Sequence, residues 1–232
     1  VASRLHPVAG RFELGLHVGV NLVSHLTDTW ALGLSVAYNP AEWWALELRL
    51  GTALTRNNSV ARDVAVRLSQ VSDLTVTELK DTWRLGPYAL AGFRFQPLYG
   101  KLNLASELVV HFQVFGWAGG GAALLDRTSP SLCLNPADPG RCVQGGEVNW
   151  DGYFSEHKAS PLVSVALGIR FFLGQHHLLS LEARLWSYLD SFYQGVVRAD
   201  VSVAAPTAGG TAVSDPGLTH VGQLELGYGL VF

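Results

Sequence analysis

The stretch 11–23 alternates through its first twelve residues. Phe12, Leu14, Leu16, Val18, Val20 and Leu22 fill the even positions, and Arg11, Glu13, Gly15, His17, Gly19 and Asn21 fill the odd ones. Successive side chains of an extended chain point to opposite faces, so a period of two predicts a strand with one apolar face and one polar or small face. The pattern returns over 30–39 and 44–51, and again over 163–171, 179–189 and 223–232. Residues 83–95 are less regular, because Tyr88 and Leu90 disturb the phase, and 101–125 reads as one long strand bulged near Ser106 and Glu107. The total is about eight strands, close to the smallest closed-barrel number.

Connection lengths sharpen this reading. Residues 39–42, 96–100 and 173–177 read as short turns. Residues 56–81, 126–160 and 190–218 read as long polar loops, with a shorter link at 24–29 on the same side. Short turns at one end and long loops at the other, with an even strand count, are the habit of outer-membrane barrels. The sequence therefore predicts an all-β fold: a closed antiparallel transmembrane up-and-down β-barrel of about eight strands, with short periplasmic turns and long extracellular loops. Residues 1–10 read as a short periplasmic N-terminal segment and 11–232 as one barrel domain.

Composition decides which face is outside. Hydrophobic residues make up 48% of the 232 residues and charged residues only 15%. A spanning helix needs roughly 20 nearly uncharged apolar residues, and the best run, 109–125, is broken by His111, Gln113 and four glycines. A soluble barrel of lipocalin type would carry a wet face dense in lysine and glutamate. Here the face opposite the aliphatic one is dominated by Gly, Ala, Ser and Asn, which suits a crowded lumen. The aliphatic face then meets lipid. The sparse charges on the inner face, Arg11, Glu13, Glu47, Arg49, Arg94, Arg170, Glu182, Arg184 and Glu225, are expected to form a lumen network, with Glu47 near Arg49 and Glu182 near Arg184.

Aromatic residues cluster toward strand ends. Phe12, Tyr38, Trp44, Phe95 and Phe171 lie near the short turns, and Trp30, Trp83 and Trp117 near the long loops, which predicts two interfacial belts. The last strand places Gly227, Leu230 and terminal Phe232 in a pattern that resembles the signal read by the barrel-assembly machinery. With no methionine, the chain reads as a processed product whose signal peptide has been removed on export to the bacterial outer membrane.

Candidate chemistry is thin. Cys133 and Cys142 sit in the longest loop, and in an exported chain they are expected to form a disulfide rather than a metal pair. His17 and His111 read as lumen filling, and His176 and His177 as turn residues. No nucleophile–base–acid arrangement emerges, and no cofactor or metal site. A net charge of −3 gives no nucleic-acid footprint. Val60, Val64, Leu68 and Val71 have helical spacing within 59–74, compatible with a short amphipathic helix or a polar loop. Trp150, Tyr153 and Phe154 are candidate partner anchors or rim packing.

Several segments carry a family resemblance: 10–14, 38–47 with its Asn39-Pro40-Ala41-Glu42-Trp43-Trp44 core, 97–102, His111-Phe112-Gln113, and the glycine run after Trp117. Together they resemble the outer-membrane β-barrel domain proteins typical of myxobacteria, although Gln113 stands where that family often has an acidic residue. The resemblance covers most of the chain and implies an architecture without an activity. It implies a Gram-negative envelope protein that serves in complexes such as gliding or secretion machinery. The expected function is a non-enzymatic structural or interaction subunit of an envelope complex, with membrane lipid, the assembly machinery and other envelope proteins as partners. A small passive channel is the alternative.

Overall fold

The computed structural model describes residues 7–22, 27–57, 59, 84–105, 108–129, 142–144, 147–149, 154–193 and 214–232. They form ten strands: β1 (Arg11–Asn21), β2 (Thr27–Ala41), β3 (Trp44–Asn57), β4 (Arg84–Ala105), β5 (Leu108–Ser129), β6 (Cys142–Gln144), β7 (Glu147–Asn149), β8 (Phe154–Leu173), β9 (His177–Tyr193) and β10 (Ser214–Val231). Eight of these close into a barrel in the order β1-β10-β9-β8-β5-β4-β3-β2, and β6 pairs with β7 as a separate two-stranded sheet. Every pairing is antiparallel. The last strand joins the first, with Leu14 opposite Leu230 and Val18 opposite Leu226, so the barrel has no long free edge to cap.

Register keeps like faces together around the wall. Val36 lies opposite Leu14 and Leu48, Leu48 opposite Ala91, and Ala91 opposite Gly120. The outcome is inside-out. Leu34, Leu167 and Leu226 are 55%, 66% and 61% exposed, whereas Glu182, Arg170 and Arg184 are 1%, 1% and 2% exposed. In water such a surface would aggregate and such a core would be costly. In a bilayer, an apolar exterior around a closed sheet satisfies both the side chains and the backbone. Among the described residues no helix is long and apolar enough to cross a membrane; the strands make the crossing.

Three expectations are corrected. Residues 96–100 are not a turn. They continue β4 through a bulge between Phe95 and Leu98, and the chain reverses between Ala105 and Leu108, which pair. The stretch 101–125 is therefore parts of two strands rather than one bulged strand. Proline at 97 was a misleading turn signal: at a bulge, its missing N–H disturbs no ladder bond. A second bulge, between Leu85 and Tyr88, brings Leu85 inward, but the disturbed pattern at Tyr88 and Leu90 comes from apolar side chains that share the inward phase of Gly92 and Arg94. Tyr88 and Leu90 are buried inside while Ala89 and Ala91 face outward. The third correction is Trp117, which points into the lumen and is 2% exposed instead of joining an outer belt. In the middle of β5 the outward positions are Gly116, Ala118, Gly120 and Ala122, so size and outwardness there run opposite to the rest of the wall.

The short-turn end holds Glu42–Trp43 and residues 174–176, the latter turning on Gly174 with φ 84°, a conformation that costs glycine little. Both described chain ends lie on this side. Residues 7–10 form a strap across the rim: Val8 N–H and Ala9 N–H donate to Glu42 Oε1 at 3.1 and 3.0 Å, and Gly10 N–H donates to the Asn39 carbonyl at 2.6 Å. At the other end the loop bounds expected at 126–160 and 190–218 are corrected: 126–129 pair with 154–157 and 190–193 with 214–217, so both hairpins extend beyond the strand ends that alternation marked. The helical reading of 59–74, apart from Ser59, and the anchor residues Trp150 and Tyr153 fall outside the described residues, as does the side chain of Phe154.

Candidate functional site

The lumen is the most constructed part of the molecule. Its polar side chains come from the inward-facing positions of all eight barrel strands, which alternation sets. They form one continuous ladder. Gln113 Oε1 accepts from Arg170 Nε and Nη2 at 3.0 and 2.8 Å. Arg170 Nη1 donates to both carboxylate oxygens of Glu13 at 3.0 and 2.9 Å, and its Nη2 donates to Gln96 Oε1. Arg94 then bridges Glu13 and Glu47, the latter at 2.7 Å. Arg49 donates to Glu47, to Glu225 Oε2 at 3.0 Å, and to Glu182 at 2.9 and 3.0 Å. Arg184 completes the series, with Glu182 Oε2 at 2.7 Å and Ser164 Oγ at 3.0 Å.

Four guanidiniums face four carboxylates in these pairs. Formal charge cancels within the ladder, which is what makes so many buried ions tolerable. Asn39 fills remaining valences, donating to Glu13 Oε1 at 3.0 Å and to the Arg11 carbonyl at 3.2 Å. Arg11 itself is half-buried at the turn-side rim, one step outside the deep ladder.

His17 reaches Ser35 Oγ with Nε2 at 2.8 Å, and its Nδ1 is 3.7 Å from Glu182 Oε1. With Glu225 it makes a potential three-donor metal set within 4.8 Å. The donor chemistry does not fit a cation. Both carboxylates already serve Arg49 and Arg184, so a metal ion would add uncompensated positive charge in a poorly solvated space.

The ladder is covered at both ends. On the loop side Arg184 and Arg49 lie 4.5 and 5.5 Å from the Trp117 ring centroid, within cation–π range. Above that layer Trp186 and Tyr88 meet edge-on at 4.5 Å and pack with Leu85, Leu90, Leu125, Leu162 and Tyr188. Trp117 fits because Gly92 and Gly119 lie beneath it; a Cβ at either would run into its ring and into backbone. On the turn side Phe172, Leu178 and Val231 are buried, as is Val8 of the strap. The cavity left among Glu13, His17, Arg94, Phe115, Arg170 and Glu182 measures about 20 Å³, the room of about one water.

Of the other expected site residues, Phe12, Tyr38, Trp44, Phe95 and Phe171 stand on the outer wall toward the turn end, and Trp30 stands outward toward the loops. Phe12 and Tyr38 lie 4.8 Å apart, and Trp44 stacks on Phe93 at 5.5 Å. Trp83 lies outside the described residues. The expected Cys133–Cys142 disulfide lies outside them too, since Cys133 and the side chain of Cys142 are not described. Gly227 faces the lumen, where a Cβ would collide with Ser180 Oγ and approach His17 Nδ1 to 2.8 Å. Leu230 and Phe232 face outward, and Phe232 N–H donates to the Phe12 carbonyl at 2.9 Å. His111 is buried at the turn end with Tyr99 OH at 2.8 Å from its Nδ1.

Sequence reasoning missed the aromatic layer as a unit, the amides Asn39, Gln96 and Gln113, and the strap. The broken phase at Tyr88 and Leu90 was the available signal for the first. Nothing local marked Val8 and Glu42, which are far apart in sequence.

No family model and no curated protein matches the chain. Among solved structures it is similar in fold to the N-terminal β-barrel domain of Pseudomonas aeruginosa OprF, at 9% identity over 97% of this chain and 98% of that one, with TM-score 0.40. It is also similar to Ail, the attachment invasion locus protein of Yersinia pestis, at 12% identity over 96% and 97%, TM-score 0.36. The outer membrane protein OprG of Pseudomonas aeruginosa follows at 12% identity over 98% and 97%, TM-score 0.36.

Proposed function

We propose that this barrel is a non-catalytic anchor in the bacterial outer membrane, a structural and interaction subunit of an envelope complex that works through its outer surfaces. The supporting observation is the filled lumen: an ion ladder between two apolar layers, with a cavity of about 20 Å³. A small eight-stranded barrel holds side chains rather than a channel, and here its buried guanidiniums and carboxylates pair with one another. Function then falls to what the barrel displays: its loops, its wall and its turn-side rim. Motility or secretion machinery is the class of complex that the family resemblance implies.

The purified protein should be electrically silent in planar bilayers and, after cross-linking in cells, should co-purify with other envelope proteins. Steady, ion-selective conductance would replace this reading with the small passive channel. Heat-modifiable gel mobility checks that the preparation under test is the closed barrel.

A further inference from the structure

The outer wall is not uniform. Between the cross-strand row Phe12–Tyr38–Leu46–Phe93–Ala118 and the parallel row through Val36, Leu48 and Ala91 runs an apolar trough of about 650 Å³. It exists because β4 and β5 present Ala91 and Ala118 where neighbouring strands present leucine, valine or phenylalanine. It begins at the turn-side rim, since Phe12 is the second residue of β1, and it ends at Ala118, near the middle of β5.

Its dimensions follow from sheet geometry. Five strands spaced ~4.8 Å apart give a length of roughly 19 Å. A trough perpendicular to strands tilted ~35–45° rises by about 11–13 Å, which is within one leaflet of a hydrocarbon core ~30 Å thick. The lining is apolar but for Glu47, whose carboxylate turns inward to Arg49 and Arg94, so the occupant is neutral hydrocarbon. A helix ~10–12 Å across is too broad for a depression one side chain deep. Two convex walls of this protein would touch along a line and leave the trough unfilled. The trough is continuous with the wall that already faces acyl chains, and its rim end is framed by the Phe12–Tyr38 pair and the Trp44–Phe93 stack.

We propose that this trough is a seat for one acyl chain of a tightly held phospholipid, entered from the turn-side leaflet with its headgroup at the Phe12–Tyr38 rim. The lipid is held by shape and by apolar contact, and Ala91 and Ala118 set the depth of the seat.

The test uses the full chain refolded in phosphatidylethanolamine and phosphatidylglycerol vesicles, extracted in mild detergent and weighed by native mass spectrometry. The wild type should retain one lipid per barrel. Ala91→Leu and Ala118→Leu fill the seat and should lower the retained fraction about tenfold. Ala183→Leu, outward on β9 and away from the trough, should retain lipid as the wild type does. Heat-modifiable mobility confirms closure of each variant, and A118L carries the comparison if A91L fails to close. A wild type that retains no lipid, equal retention in A118L, or equal loss in A183L overturns the proposal. A dimer in place of the lipid-bound monomer does so as well, by assigning the trough to a second copy.

Discussion

Arg49 joins three carboxylates, those of Glu47, Glu182 and Glu225. Removing it leaves one buried negative charge unbalanced, with three carboxylates sharing Arg94 and Arg184, whereas replacing a whole set of ions by neutral groups of similar size can be nearly neutral. Arg49→Met should therefore cost about 3–5 kcal/mol of unfolding free energy in urea titrations of the vesicle-embedded barrel. Adding Glu225→Gln to it leaves three guanidiniums facing three carboxylates, with Arg184 still on Glu182, and should recover a substantial part of that loss; a double variant weaker than the single one would contradict the charge-balance account. Steric limits are as local. Gly92→Val should push Trp117 from its place and cost about 1–3 kcal/mol by overpacking, read in the same titration. At this scale the sequence was informative where alternation was clean: the inward phase of Glu13, Glu47, Arg49, Arg170, Glu182 and Arg184 is plain in the chain. Trp117 was not legible, because an aromatic near a strand end fits an interfacial belt as well as a lumen. What decided its side was the space beneath it, supplied by Gly92 on another strand.

Among elements, β4 is the most instructive. Two of its three register shifts matter most: one brings Leu85 inward out of phase with Tyr88 and Leu90, and the other carries the strand past Pro97. A bulge adds one residue to one strand only, and single-sequence periodicity registers it as noise or as a turn. That is why the turn expected at 96–100 lies instead between Ala105 and Leu108, while the turns beside Glu42 and Gly174 stand where the chain suggested. The strap at 7–10 is held by a different logic, a single carboxylate accepting two backbone N–H groups. Glu42→Ala should release it: amide exchange at Val8 and Ala9 should rise toward that of an unstructured segment, while the barrel keeps its heat-modifiable mobility. The loss falls in the range of about 1.5–3 kcal/mol for a hydrogen bond to a charged group. Unchanged protection of both amides would show that Val8 burial, rather than Glu42, holds the strap.

For the molecule as a whole, the decisive property is the reversal of inside and outside. Leu226→Arg, in the apolar row of β10, should cost about 2–4 kcal/mol in vesicles, the usual penalty for arginine near the bilayer midplane. The same change at Leu218, nearer the loops, should cost clearly less. Equal penalties at the two positions would be inconsistent with a wall graded by membrane depth. Strand number, closure and sidedness of loops were all visible in the chain, since each follows from alternation and connection length. The loop-side apolar layer depends on contacts among several strands, and no local pattern announces it.

The pairing of β1 with β10 has a mechanical consequence. The two terminal strands are antiparallel neighbours whose outer ends sit at one rim, with Phe232 N–H bonded to the Phe12 carbonyl. Tension applied between the two termini would load these ladder bonds one after another, like a zip, instead of shearing them together. The seam that closes the barrel is thus also where a pull on its ends would begin to open it, at low force and from the turn side.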